Sequence, residues 1–177
     1  GIVRAMMAHA RSGSGEHRLV HLNALVEEYA AHALHAKRVR HDAFAPILTL
    51  NLKEEVGQVT MAPQEIGRVL VNLIDNALDA VRKRAEEAPA GYVPTVTVST
   101  RLVGGYAEVR VADNGPGLSE AVRAKVFEPC FTTKPTGEGP GRGLSRSHDI
   151  VAQGHGGSLT VESAEGEGAT FVVRLPA

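Results

Sequence analysis

The chain has no tryptophan, a single cysteine (Cys130), and only 4% aromatic residues among its 177. One cysteine cannot close an internal disulfide, so the fold must be held by its core, and a reducing, cytoplasmic compartment suits it. No apolar run reaches the ~18 residues of a membrane span and no secretory leader is visible, so no membrane contact by this chain is expected. Charge of one sign is missing too. Lys and Arg number 19 against 20 Asp and Glu, a formal net charge of −1, which gives no electrostatic pull towards nucleic acid or anionic lipid. What remains, 43% hydrophobic and 22% charged residues, is the composition of an ordinary globular domain able to bury a core. The length fits one domain with a small appendage. The chain opens with Gly1 rather than methionine, so a fragment of a longer protein is expected.

Apolar spacing predicts a short helix over 1–11, broken by SGSGE, and a second from Leu22 to Arg40 with Asn23 as its cap. PILTLNLKE (46–54) alternates as a strand, and VTMAP is a short extended piece. A long helix follows from about Gln64 to Glu87, with Pro63 at the start, where proline is favoured. Two alternating segments, 94–103 and 106–113, flank Gly104-Gly105 and read as a hairpin. A short helix near 119–126, an irregular stretch over 128–143 and a helix over 144–153 come next. A second hairpin joins 157–163 to 169–176 across AEGEG. The expected fold class is α+β, a two-layer α/β sandwich whose mixed, largely antiparallel sheet packs against helices on one face.

Three segments carry chemistry. In NLIDNALDA (72–80), Asn72 and Asn76 lie one helical turn apart and share a direction, while Asp75 and Asp79 share a neighbouring one. A side-chain amide oxygen is a hard, neutral ligand for Mg²⁺ beside phosphate oxygens, although two asparagines on a solvated face would look the same. DNGPG (113–117) follows a strand directly, so Asp113 is an acceptor-only carboxylate at a strand end and Gly115 and Gly117 permit close backbone approach. Such a carboxylate matches an adenine 6-amino group and refuses the guanine carbonyl, but a plain turn also fits the residues. TTKPTGEGPGRGLS (132–145) is glycine-rich and runs into a helix start, which suits an anion with Lys134 adding charge; a surface loop is the alternative. It lacks the P-loop spacing.

In this order the segments resemble the catalytic ATP-binding domain of bacterial sensor histidine kinases, of the GHKL superfamily with its Bergerat ATP-binding fold. LVNLIDNALDA is similar to the N-box, DNGPGL to the first glycine box, FEPCFTTK to the F-box and GEGPGRGLS to the second glycine box, over about residues 20–176. The resemblance implies ATP and Mg²⁺ as cofactors, with Asn76 on the metal and Asn72 and Lys134 joining it in catalysis. It further implies that Asp113 reads adenine beside Gly115 and Gly117. A lid of Gly139, Gly141, Arg142, Gly143 and Leu144, hinged on Phe127 and Phe131, covers the phosphates, and Asp79 and Thr170 complete the nucleotide-binding set. Residues 1–14 resemble the end of a dimerisation and phosphoacceptor domain and its linker, leaving 15–177 as the catalytic domain. The implied partners are a histidine on that upstream domain and a response regulator, with the isolated fragment monomeric. His9, His17, His21, His32, His35 and His41 are read as surface residues, and a metal site from His32 and His35 lacks a third ligand.

The chain departs from the family pattern at Pro140, Arg142, Arg146 and His148, and Asp79 stands where many histidine kinases have lysine. Proline removes an N–H and stiffens a loop, which keeps open a degenerate nucleotide-binding or interaction module with a disabled lid. An anti-sigma-type serine kinase is the other alternative. Asn72 stands where the hydrolytic branch of the superfamily uses a glutamate base; an amide cannot take a proton, which favours transfer over hydrolysis.

Overall fold

The computed structural model describes residues 15–88, 90–128 and 143–177. The chain runs β1 (Arg18–His21), α1 (Leu22–Arg40), β2 (Ile47–Leu52), a single 3₁₀ turn (Glu54–Val56), β3 (Gln58–Met61), α2 (Pro63–Glu87), β4 (Thr95–Val103), β5 (Tyr106–Asp113), α3 (Glu120–Lys125), α4 (Gly143–His155), β6 (Ser158–Ser163) and β7 (Ala169–Pro176). Five strands form one sheet in the order β2-β4-β5-β7-β6, and β1 pairs with β3 in a separate two-stranded sheet. Every pairing is antiparallel except β2 with β4. The α+β sandwich expected from the sequence is the architecture found.

Alternation along the strands sorts the large sheet into two faces. On β5, Ala107, Val109 and Val111 are fully buried and belong to the core formed with α1, α2 and α4. α2 contributes most to that core: Ile66, Val69, Leu70, Leu73, Ile74, Leu78 and Val81 recur at the three- and four-residue spacing of one helical face, and all are fully buried. On the opposite face of the sheet, Glu108 is completely buried under Arg101, Arg110 and Arg174. Burial alone would raise its pKa, but hydrogen bonds from these three arginines outweigh that and hold the carboxyl below its usual range.

Three local readings need correction. β1 was not anticipated, because a four-residue strand is too short for periodicity to register. Asn23 is not a cap: α1 starts at Leu22 with His21 at the N-cap position and no side-chain cap. Its buried amide instead donates to the Lys53 carbonyl at 2.9 Å and accepts from Thr100 Oγ1 at 2.8 Å, fastening α1 to β4. His17 is exposed as expected, yet its ring stacks on His155 with centroids 4.6 Å apart, so the segment entering β1 rests on the end of α4.

Helix α1 is joined to α2 by a buried charge. Lys37 is 2% exposed, and its Nζ lies 2.9 Å from Asp75 Oδ1 and also contacts Asp79 Oδ1. A buried ammonium is tolerable only when paired in this way. Lys37→Met should therefore lose about 3 kcal/mol in urea denaturation, because two carboxylates are left facing apolar surface. Adding Asp79→Asn to that variant should recover part of the loss; no recovery would mean that the lysine acts through packing alone.

Candidate functional site

The site is built along one row of α2. Arg68, Asn72, Asn76, Ala80 and Arg84 are four residues apart, so they form a ridge that winds slowly round the helix, starting at Arg68 on the side away from its buried stripe. Asp113, at the end of β5, and the loop after it meet the C-terminal half of this ridge. The start of α4 meets the N-terminal half.

At the first end, Gly115 lies so close to Ala80 that a Cβ would sit 2.9 Å from the alanine Cβ. Its N–H donates to Asp113 Oδ1 at 2.9 Å. Gly117 has φ +73°, and a side chain there would collide with the Ala164 carbonyl. The loop is clamped from several sides. Arg84 Nη1 donates to the carbonyls of Asn114 (3.1 Å) and Gly115 (2.8 Å), Tyr92 Oη donates to the Asn114 carbonyl at 2.9 Å, and Asn114 Oδ1 accepts from the Thr95 N–H at 2.9 Å. Asp113 is thus fixed as an acceptor in a largely dry site. Burial raises its pKa to about 6, against the lowering effect of backbone N–H groups from Gly115 and Ala169.

At the other end, α4 starts against Asn72. Gly143 leaves the room for this contact, since a Cβ would collide with Asn72 Oδ1, and Asn72 Nδ2 donates to Ser147 Oγ at 3.3 Å. A cavity of about 470 Å³ opens here, lined by Arg68, Asn72, Gly143, Arg146, Ser147 and Ile150. Asn76 lies between the two ends, one turn from Asn72 and one from Ala80.

The structure therefore brings Asn72, Asn76, Asp113, Gly115 and Gly143 together along α2, with Leu144 packed on the core beside them, while Gly117 packs against Ala164 and Gly168. Two expected residues stand elsewhere. Asp79 turns towards α1 and pairs with Lys37. Thr170 lies opposite Ala112 in the β5–β7 register, whereas Ala169 lies opposite Asp113. Strand side chains alternate, so Ala169 shares the Asp113 side and Thr170 points to the other face of the sheet. Lys134, Gly139, Gly141 and Arg142, with Cys130, Phe131 and Pro140, lie outside the described residues. Sequence reasoning missed Arg84 and Tyr92, which hold the Asp113 loop; the four-residue recurrence from Asn76 to Arg84 was the available signal.

Among the described residues, one group places metal-ligating atoms near one another: His17, Glu65 and His155. His155 Nε2 already accepts the Ala62 N–H at 3.1 Å and Nδ1 lies 2.8 Å from the Ile150 carbonyl, so both ring nitrogens are used by the protein itself. The stacked rings also direct their in-plane lone pairs alongside each other rather than at one ion.

Comparison with known proteins follows the same outline. The family described as histidine kinase-, DNA gyrase B-, and HSP90-like ATPase matches residues 61–177. The two-component sensor PprA of Pseudomonas aeruginosa is 45% identical over 112 residues, 63% of this chain and 12% of that protein. The sensor protein FixL of Bradyrhizobium diazoefficiens is 33% identical over 176 residues, 99% of this chain and 32% of that protein. The chain thus spans from 12% to 32% of the length of these two relatives. Among solved structures, the nucleotide-free catalytic domain of histidine kinase ThkA superimposes with a TM-score of 0.73 at 27% identity, covering 91% of this chain and 95% of that one.

The raised pKa of Asp113 has a stability consequence. A carboxyl raised to about 6 in the folded state from its ordinary 3.8 destabilises the fold while ionised, by at most about 3 kcal/mol. That cost is fully present above pH 6 and is relieved as pH falls towards 4. Asp113→Asn should therefore be more stable than the parent at pH 8, and the gap in urea midpoint should shrink between pH 6 and pH 4. A gap that widens on acidification would contradict the assignment.

Proposed function

The chain belongs to the histidine kinase-, DNA gyrase B-, and HSP90-like ATPase family, as a catalytic ATPase domain of the two-component sensor histidine kinase type, and from that premise we propose how its residues serve phosphoryl transfer. ATP lies along the α2 ridge, with adenine at Asp113 and the triphosphate running past Asn76 to Asn72. The ionised Asp113 accepts from the adenine 6-amino group, and the clamp formed by Arg84, Tyr92 and Asn114 keeps the loop in place for it. The observation that carries this reading is the half-buried, acceptor-only Asp113 at one end of a ridge whose other end opens into a cavity flanked by arginines.

The donor set on α2 fits Mg²⁺ bound with the nucleotide. Asp75 and Asp79 pair with Lys37, and the neutral amide of Asn76, one turn from Asn72, suits a metal held mainly by phosphate oxygens and water. Bound there, Mg²⁺ would neutralise charge on the triphosphate during transfer. The remaining contributions come from side chains: Asn72 ties α4 to α2 and, being an amide, offers no base to activate water. That supports transfer to an imidazole, itself a nucleophile, over hydrolysis.

The γ-phosphate acceptor in this reading is a histidine on a dimerisation domain to which residues 1–14 lead, and a response regulator takes the phosphate in turn. No described helix is long and apolar enough to cross a membrane, in keeping with a cytoplasmic place for this domain.

Calorimetric titration tests the proposal. ATP with Mg²⁺ should bind saturably, GTP should not compete, and affinity should fall as pH drops below about 6 and Asp113 takes a proton. Equal binding of ATP and GTP would refute the adenine role of Asp113.

A further inference from the structure

We propose that Arg68 and Arg146 form a two-sided clamp for the terminal phosphate of ATP, a role that rests on the nucleotide orientation given above. From Ala80, which packs against the adenine-side loop, α2 runs twelve residues to Arg68, about 18 Å along its axis. That reach carries an extended nucleoside triphosphate from its base to its last phosphate. The cavity at this end is lined by Arg68 from α2 and Arg146 from α4, together with Asn72, Gly143 and Ser147. Among the described residues, no carboxylate lines it.

The charge balance points the same way. Most arginines near the core are already bound: Arg82 pairs with Asp79 and Glu86, Arg84 holds the Asp113 loop, and Arg101, Arg110 and Arg174 surround Glu108. Arg68 and Arg146 are exposed and make no ion pair or hydrogen bond among the described residues. Of the acids on the same helix, Asp75 and Asp79 are paired with Lys37 and, for Asp79, with Arg82, while Glu65, one turn before Arg68, stands in the group with His17 and His155 at the far end of α4. What remains at the cavity is two uncompensated guanidinium groups and two neutral polar side chains, a set that fits an anion of more than one charge. A β-phosphate lies one unit nearer Asn76, so the clamp distinguishes ATP from ADP. It also leaves the last phosphate between two helices whose far ends meet at Ala62 and His155, where the N-terminal segment enters.

The test is calorimetric titration of the whole chain with Mg²⁺·ATP and with Mg²⁺·ADP, for the parent, Arg68→Ala, Arg146→Ala and the double variant. Each single variant should weaken ATP about 10-fold and leave ADP unchanged, and the double variant should lose its preference for ATP. Arg68→Lys and Arg146→Lys should keep part of that preference, and unchanged melting temperatures should exclude misfolding. Equal weakening of ATP and ADP, or no change in either, overturns the clamp while leaving the site reading intact. If the parent binds neither nucleotide, the site reading itself fails and the clamp falls with it.

Discussion

Helix α2 has to satisfy two opposed demands, and the rest of the molecule is arranged around that constraint. One face must enter the core, where Leu70, Leu73, Ile74 and Leu78 are fully buried. Each such side chain contributes roughly 1.5–3 kcal/mol of transfer free energy. The rest of its circumference must present polar groups to a ligand without collapsing onto it. The ammonium of Lys37 reconciles the two, because it holds Asp75 and Asp79 towards α1 and leaves the row containing Asn72 and Asn76 free of anionic competition. A polyanionic ligand could not approach that row if both aspartates stood uncompensated beside it.

In the adenine-reading role proposed for Asp113, function and stability pull against each other. An acceptor able to select one base must be dry and ionised, and both conditions oppose folding. The surrounding structure offsets this with backbone N–H groups from Gly115 and Ala169 and with a loop fixed by Arg84, Tyr92 and Asn114. The same helix that carries the amides also carries Arg84, so both ends of the site are anchored to one element. At the other end, α4 is seated directly on Asn72 through Gly143 and Ser147, which ties the placement of that helix to the amide row.

Much of this was legible in the sequence because the signals are local. The period of α2, Pro63 at its start, the Gly104-Gly105 turn and the alternation of β4, β5 and β7 each depend on neighbours a few residues apart. The four motif segments, read in order, pointed to the family. The features that escaped depend on partners distant in the chain. Asn23 had every local mark of a cap, but its amide is claimed by Lys53 and Thr100. Lys37 carries no local mark of its burial, which follows only from α1 lying against Asp75 and Asp79. Thr170 and Ala169 differ by one position, and only strand register decides which of them stands beside Asp113, since a shift of one residue reverses the face.

The central claim is that a nucleotide lies along α2 from Asp113 to Asn72. Amide chemical-shift mapping with AMP, then ADP, then a non-hydrolysable ATP analogue tests it most directly. The account predicts that AMP perturbs Ala80, Gly115 and Ala169, and that each added phosphate extends the perturbed set through Asn76 to Asn72 and Gly143. Shifts confined to the Glu108 face of the sheet, or a set that does not lengthen along α2 as phosphates are added, would contradict it.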